Sequence, residues 1–144
     1  MPPGSTAPRG LASRFQVIID GQDLGSWSGC TGLSVDFQHE EYKELGNNSF
    51  THLLPMGAKY GPVTLERACT AEESLALQGW LASMVTQPTK GTASITLHDG
   101  AQGEVITWTL TGVFPAKWTG PQLQGKSTEM ALETLVLAHE GFLT

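Results

Sequence analysis

Apolar side chains stand at every second position in several short segments of this chain, and turn-forming residues separate most of these segments. Phe15, Val17 and Ile19 form the first series, which an Asp-Gly turn ends. Val63 and Leu65 belong to a later series. Because successive side chains of a β-strand point to opposite faces, this spacing predicts strands that turn one face toward a core. The chain is therefore predicted to be mainly β.

The stretch that follows the first strand is rich in glycine, which weakens strands. Gly25, Gly29 and Gly32 are predicted to break this part of the chain, and a new strand is predicted to begin near Leu33. The side chains that are predicted to share one face of that strand are Leu33, Val35 and Phe37.

The second half of the chain is predicted to contain a hairpin. Residues 92–99 form its first strand and residues 104–115 the returning strand, with turn residues between them. The apolar side chains predicted on one face of the returning strand are Ile106, Trp108, Leu110 and, beyond Gly112, Phe114. An irregular crossing is predicted for residues 116–125.

The closing segment, residues 126–141, is predicted to be the last long strand. Its alternating positions are Met130, Leu132, Thr134, Val136 and Ala138. Leu135 and Leu137 place apolar groups on the second face as well. A single core does not explain strands that are apolar on both faces, so the chain is predicted to contact neighbouring subunits.

One segment has the spacing of an amphipathic helix. Thr70 and Glu73 match the S/T-x-x-E capping box at its start, and Gln87 with Pro88 ends it. The side chains of its apolar stripe are Leu77, Trp80, Leu81, Met84 and Val85. A single helix with a one-sided stripe is predicted to cover the open end or face of a β-sandwich or barrel.

Composition narrows the class of partner. Charged residues make up 15% of the chain, against a usual value of about 25%, and low charge is typical of surfaces buried in an assembly. The net charge is −6 and the eight basic residues are scattered. Nucleic-acid binding needs clustered Lys and Arg, so sequence-specific nucleic-acid binding is not predicted.

Residues that carry catalysis are sparse in this sequence. The four histidines are far apart and none stands in a metal-ligand spacing. Cys30 and Cys69 have no partner at zinc-ligand spacing and do not indicate a disulfide framework. Neither a nucleophile elbow nor a phosphate-binding loop occurs. The prediction is a protein that is not an enzyme and that has no catalytic residues, cofactor or metal.

The N-terminal residues 1–14 are rich in Pro, Gly, Ser and Ala, and they lack the apolar core of a signal peptide. They are predicted to be a flexible arm that precedes one domain, residues 15–144. No apolar run approaches the ~20 residues that cross a bilayer, so membrane insertion is not predicted. The protein is predicted to be made and kept in the cytoplasm unless a larger machine exports it.

The segment from about Glu41 to Tyr60 combines large apolar side chains with turn-forming residues. Its turn formers, which forbid a helix and interrupt a strand, are Gly46, Asn47, Asn48, Pro55 and Gly57. Its large apolar side chains are Phe50, Leu53, Leu54, Met56 and Tyr60. An exposed patch of this kind would be a liability on a monomer. If no neighbouring subunit covers this segment, it would be a loop folded over its own core.

The order of these pieces resembles a known family. In chain order they read FQVIIDG, LGSWSGCTGLSVDFQHEEY, GNNSFTHLLPMGAKYGPVTLERACT, a capped helix with GWL, ITLHDGAQGEVITWTLTGVFPAKWTGPQL and ETLVLAHEGF. Over residues 15–142 the series resembles the tail tube proteins of contractile-tailed phages and of phage-like contractile injection systems. The type VI secretion tube protein has the same design.

This resemblance implies a fold and a function. The fold is a β-sandwich or barrel with one flanking α-helix and a long extended hairpin or loop. The function is a structural subunit whose hexameric rings stack into an inner tube within a contractile sheath. The implied partners are further copies of the chain, the sheath protein, baseplate or tube-initiator proteins and luminal cargo. The implied particle is a phage tail or a phage-like injection particle, which would be assembled in the bacterial cytoplasm and could be released from the cell.

The resemblance also assigns a contact surface. Residues 41–60 would leave their own subunit and pack on adjacent subunits and on the next ring. The predicted interface residues are Tyr42, Asn47, Asn48, Phe50, Leu53, Leu54, Met56 and Tyr60, with the two asparagines supplying turn geometry.

Three alternatives stay open at this point. Family members often have LPG where this chain has LPMG, and Lys-Arg-Gly where it has Glu66, Arg67 and Ala68. Such departures leave open a tube-initiator or baseplate paralogue of the same fold. A monomeric β-barrel that binds a small ligand beneath the helix is an alternative from another class. An enzyme would require His or carboxylate side chains gathered in a pocket.

Overall fold

The computed structural model describes residues 14–43, 51–100, 103–121 and 131–143, and over these ranges it contains nine strands and one helix. The elements are β1 (Arg14–Ile19), β2 (Gln22–Trp27), β3 (Gly29–Thr31), β4 (Val35–Tyr42), β5 (His52–Tyr60), β6 (Val63–Ala68), α1 (Ala71–Thr86), β7 (Gly91–His98), β8 (Glu104–Thr119) and β9 (Leu132–Ala138). The prediction of a mainly β fold with one helix is confirmed. Of the predicted arm, only Arg14 lies within the described residues, and it begins β1.

Seven strands form one antiparallel sheet in the order β2-β1-β7-β8-β9-β6-β3. The two edge strands, β2 and β3, are separated in the chain by Ser28 alone. Opposite edges of a flat seven-stranded sheet cannot lie one residue apart, so the sheet curls until its edges meet. The result is a barrel with a seam between β2 and β6, where the Ser28 amide donates to the Glu66 carbonyl at 3.0 Å.

The barrel encloses the core, because inward positions alternate along each strand. The buried apolar side chains are Val17, Ile19, Leu24, Trp27, Val63, Leu65, Leu77, Trp80, Ala93, Ile95, Leu110, Val113, Leu135 and Leu137. Leu77 and Trp80 come from α1, so the helix covers the barrel as its stripe predicts. Within the described ranges, no helix has both the length and the apolar character to cross a bilayer.

Two details of the helix differ from the prediction. Val85 is 82% exposed, because it lies about 80° around the helix from Leu77 at ~100° per residue, beyond the margin of the stripe. The capping box is not formed: the Thr70 side chain caps no backbone amide, and its hydroxyl instead donates to Glu73 Oε1 at 3.2 Å. The Glu73 carboxylate is drawn toward β2, where it accepts from the Ser26 amide at 2.9 Å.

The glycine-rich stretch was expected to break, and it instead forms β2 and β3. Gly25 has a φ of +90°, a conformation that glycine adopts without strain, and the register between β1 and β2 shifts nearby. The glycine therefore makes an irregularity within the strand rather than its end. The expected strand near Leu33 begins at Val35, and its Phe37 is 70% exposed.

The returning strand β8 is longer than predicted. It continues through the expected irregular crossing to Thr119, because Thr119 and Trp118 pair with β9. At Gly112, with φ +61°, the inward positions change phase: Leu110 and Val113 are buried, while Phe114 is 39% exposed. The prediction that Phe114 continues the inward face is therefore wrong.

The last strand turns its other face inward. The fully buried positions of β9 are Glu133, Leu135 and Leu137, whereas Leu132 is 45% exposed. The alternating residues from Leu132 onward that were predicted to form the main face of this strand therefore lie on the face that points away from the core. A buried carboxylate explains the inversion, because Glu133 is paired with Arg67 and does not need water.

Candidate assembly surface

The hairpin of β4 and β5 forms a ribbon that is separate from the barrel sheet. The two strands are antiparallel, and the pairing runs from Val35 opposite Tyr60 to Tyr42 opposite His52. A register shift falls after Gln38, so Met56 has no direct partner and marks a β-bulge. In the part of the chain that the structure describes, neither outer edge of this ribbon pairs with another strand.

The two faces of the ribbon differ in chemistry, since residues directly opposite each other share a face. One face, here called the apolar face, carries Val35, Phe37, His39, Glu41, Leu53, Pro55, Ala58 and Tyr60. The other, the mixed face, carries Asp36, Gln38, Glu40, Tyr42, His52, Leu54, Gly57 and Lys59. Asp36 stands opposite Lys59, an opposite-charge pair that favours this register.

Large apolar side chains of the ribbon are open to solvent. The exposed fractions are 70% for Phe37, 60% for Leu53, 59% for Met56, 50% for Tyr42 and 45% for Leu54. Contiguous exposed apolar groups with polar neighbours are typical of protein–protein interfaces. The ribbon therefore has the composition of a contact surface.

All five predicted interface residues that can be located lie on this ribbon. Tyr42, Leu53, Leu54 and Met56 are exposed there, whereas Asn47, Asn48 and Phe50 lie outside the described residues. Tyr60 is half-buried against its own chain. Phe37 was missed as a candidate, although its place between Asp36 and Gln38 was a signal of exposure.

An aromatic cluster attaches the ribbon to the barrel. The Tyr60 ring meets His139 at 5.6 Å and Phe142 at 5.2 Å between centroids, both edge-on. His139 Nε2 donates to the Gly61 carbonyl at 2.9 Å, directly after β5 ends. Aromatic pairs in this geometry add roughly 0.5–1.5 kcal/mol beyond area burial. The cluster therefore fixes the base of the ribbon against the barrel.

The barrel also holds a buried charged network that the sequence did not reveal. Arg67 Nε donates to Glu133 Oε2 at 2.8 Å, and Trp118 Nε1 donates to Glu133 Oε1 at 3.1 Å. The Arg67 guanidinium stacks on the Trp27 ring at 3.8 Å. Both charges are buried and paired, so this network is structural. The one sign of this network in the sequence is that Glu133 is two positions from Leu135, so both side chains lie on the same face of the strand.

The described residues contain no grouping of three or more His, Cys, Asp or Glu side chains able to hold a metal. The two cysteines are free thiols, and burial raises the pKa of Cys30 to about 11. Burial also raises the pKa of Cys69, and the charge of Glu133 adds to this shift. At neutral pH both thiols are protonated, which makes them poor nucleophiles.

Comparison with protein families decides the affiliation of this fold. Residues 11–143 match the family model of the T4-like virus tail tube protein gp19. The chain belongs to this tail tube family. Family members are structural tube proteins, and the resemblance predicted from the sequence is confirmed. Among curated proteins, no sequence matches the chain significantly.

Solved structures share the fold of this tail tube family member. A chain of the PVC sheath–tube complex, an extracellular contractile injection system in its extended state, has a TM-score of 0.74 at 21% identity, covering 90% of this chain and 86% of that one. A chain of the anti-feeding prophage (AFP) baseplate has a TM-score of 0.73 at 21% identity, with coverages of 99% and 96%. Hcp1 from Salmonella typhimurium is more distant, at 0.53 and 13% identity, with coverages of 89% and 82%.

Proposed function

We propose that this tail tube protein is a subunit of the inner tube of a contractile tail or contractile injection system. Its copies would close into hexameric rings, which stack within a sheath and conduct cargo. The observation that carries the proposal is the ribbon, because it presents exposed apolar side chains on a protein whose family forms tubes. The role is mechanical and requires no catalytic group.

The ribbon supplies two kinds of contact. Its side chains Phe37, Leu53 and Met56 offer apolar area for a neighbouring subunit to cover. Its two open edges offer backbone donors and acceptors in a row. A head-to-tail contact between this ribbon and a different surface of the next copy is heterologous, so it generates a closed ring or a stack. The predicted interface residues Tyr42 and Leu54 lie on the mixed face of the same ribbon.

The proposal extends to the residues that the structure does not describe. Asn47, Asn48 and Phe50 belong to the connection between β4 and β5, and we assign them to the same contact. Tyr60 has a different role in this contact, because its ring packs on His139 and Phe142 of its own chain. It would set the direction in which the ribbon leaves the barrel.

We assign the lumen to the outward face of β1, β7 and β8. The uncharged polar side chains along this face are Gln16, Ser94, Thr96, Thr107 and Thr109. Thr96 and Thr107 hydrogen-bond across the strands at 3.0 Å between their hydroxyl oxygens. Arg14, Ile18 and His98 share this face, but most of its side chains are uncharged and polar. In a protein of net charge −6, such a wall presents few groups that retain cargo.

A tube-initiator or baseplate role is the second candidate. The fold does not separate the two roles, since it occurs both in a chain of the sheath–tube complex and in a chain of the AFP baseplate. Copy number separates them, because a tube subunit polymerises and an initiator stops at a ring. The ligand-binding barrel is disfavoured, as large side chains such as Trp27 and Leu110 fill the described interior.

The experiment that tests the proposal is negative-stain electron microscopy of the purified chain over a range of concentrations, with light scattering after size exclusion. Stacked rings with a central hole are expected for a tube subunit. Single rings that do not lengthen with concentration would favour the initiator role. A monomer at every concentration, with sheath and baseplate proteins also present, would contradict both.

A further inference from the structure

The outer edge of β2 is one of the two edges of the barrel sheet. Unpaired strand edges accept additional strands, and natural proteins block them when pairing is not wanted. The groups that point outward along this edge alternate along the chain: the Leu24 carbonyl, the Ser26 amide and the Ser28 amide. All three are hydrogen-bonded, but only one of them to another backbone group.

Side chains satisfy the other two. Arg67 Nη1 donates to the Leu24 carbonyl at 2.6 Å, and the Ser26 amide donates to Glu73 Oε2 at 2.9 Å. A guanidinium followed by a carboxylate thus presents a donor and then an acceptor to consecutive outward groups of the strand. This is the pattern that the backbone of a neighbouring strand would present.

The rest of the barrel holds the two side chains in place. Arg67 also donates to the Glu133 carboxylate at 2.8 Å and to the Glu73 carbonyl at 3.1 Å. Its Cζ lies 3.8 Å from the centroid of the Trp27 ring. Arg67 is 2% exposed, so the guanidinium is not free to leave the edge for solvent.

Gly25 provides the space for this arrangement. A Cβ at this position would lie 2.8 Å from Arg67 Nη1 and would collide with Glu73 Oε2. Its φ of +90° is also a conformation that other residues rarely adopt. The glycine that reads as a strand breaker in the sequence lets the two side chains reach the strand edge.

We propose that Arg67 and Glu73 form an autoinhibitory lock on the outer edge of β2. They occupy the backbone groups with which this edge would accept a strand of a second copy of the chain. Association between copies is thereby directed away from the barrel seam. The inference rests on the hydrogen bonds of one chain and does not depend on the proposed tube function.

Amide hydrogen exchange of two helix variants tests the lock. Glu73→Ala removes the acceptor of the Ser26 amide, and Glu72→Ala is the matched control, since it removes the same charge from the same helical turn at an exposed position. The Ser26 amide is expected to exchange about tenfold faster in the Glu73 variant only. The Ser28 amide, which donates to the Glu66 carbonyl, is expected to keep its protection.

Two results would overturn the lock at this stage. Equal Ser26 exchange in both variants would show that the carboxylate does not protect the edge. Faster exchange throughout the barrel, including the Ser28 amide and β7, would show that Glu73 serves global stability instead.

The second measurement is the association state of the same two variants at matched concentrations. The Glu73 variant is expected to form additional oligomers, in which the Ser26 amide becomes protected again as the concentration rises. A Glu73 variant with an exposed Ser26 amide that associates no more than the Glu72 variant would overturn the inhibitory role. Gly25→Val offers an independent variant, because its side chain displaces the lock without removing a charge.

Discussion

The barrel and the ribbon are built from the same alternating strands, yet they treat apolar side chains in opposite ways. On β9 of the barrel, Leu135 and Leu137 are completely buried. On the ribbon, Phe37 is 70% exposed and Leu53 60%. Alternation specifies a strand, but the neighbouring elements decide whether the apolar face is covered. The ribbon has no covering element among the described residues, and this is why it is assigned to contacts between subunits.

The two regions also differ in their charged groups. Within the barrel, Arg67 and Glu133 are 2% and 0% exposed and are paired at 2.8 Å. On the ribbon, Asp36 and Lys59 face each other across the strands in solvent. Breaking a buried pair leaves an unpaired charge, whereas an exposed pair contributes little. The barrel should therefore be sensitive to charge removal and the ribbon insensitive.

The largest expected effect is that of Glu133→Leu. The substitution leaves the buried Arg67 guanidinium without its partner, which is expected to lower the free energy of unfolding by about 3–5 kcal/mol. Urea denaturation measures the change. The double variant Arg67→Met with Glu133→Leu is expected to recover much of the loss. A loss below ~1 kcal/mol for the single variant would show that the pair is not buried as described.

A second prediction compares two leucines of the same strand. Leu135→Ala leaves a cavity in the barrel core and is expected to cost about 2–5 kcal/mol of unfolding free energy. Leu132→Ala is the matched control, since Leu132 is 45% exposed on the opposite face of β9. Its cost is expected to stay below ~1 kcal/mol. Equal costs would contradict the inward phase of β9.

The phase of β9 shows what the sequence could and could not predict. The helix and the strands β1, β6, β7 and β9 followed from spacing, and the family followed from the order of motifs. The inward face of β9 did not follow, because it begins with Glu133, whose burial depends on Arg67 some 66 positions away in the chain. A sequence pattern that places every charged side chain on the solvent face cannot account for an oppositely charged partner that the tertiary structure brings into contact.

The ribbon also shows what the sequence could not predict. Its apolar residues were predicted to form a contact surface only through the family resemblance, since turn formers obscured the period of β5. Pro55 and Gly57 are both accommodated in that strand beside a bulge at the edge of a two-stranded ribbon, where a missing amide costs little. Phe37 was predicted only to share a strand face with Leu33 and Val35, because nothing local distinguishes an uncovered strand from a covered one.

A third prediction separates folding from assembly. Leu53→Asn on the ribbon is expected to change the free energy of unfolding by no more than ~0.5 kcal/mol, yet to abolish rings and tubes. Leu75→Asn on α1 is the control, because Leu75 is 68% exposed, close to the 60% of Leu53. Electron microscopy measures assembly, and urea denaturation measures the free energy of unfolding. Tubes from the Leu53 variant, or their loss in both variants, would contradict the assignment of the contact to the ribbon.

The smallest effect concerns the short edge strand β3, where the covered barrel gives way to the exposed ribbon. Burial raises the pKa of Cys30 from 9.0 to about 11, so about one thiol in a thousand is ionised at pH 8. Iodoacetamide labelling of the native Cys30 is expected to rise about tenfold per pH unit from 8 to 10, as the thiolate fraction does. In urea, labelling is expected to level off above pH 9–10.

The same shift fixes the sign of a pH effect on stability. Because the folded pKa of Cys30 is higher than its unfolded value, this thiol supports the fold below pH 9, and its contribution is lost as the pH rises from 9 to about 11. Cys30→Ser is expected to flatten the unfolding free energy over that interval. If native Cys30 were labelled at pH 8 as fast as Cys30 in urea, β3 would belong with the open ribbon instead of the closed barrel. The boundary between the two regions would then lie at the seam at Ser28 instead of at Val35.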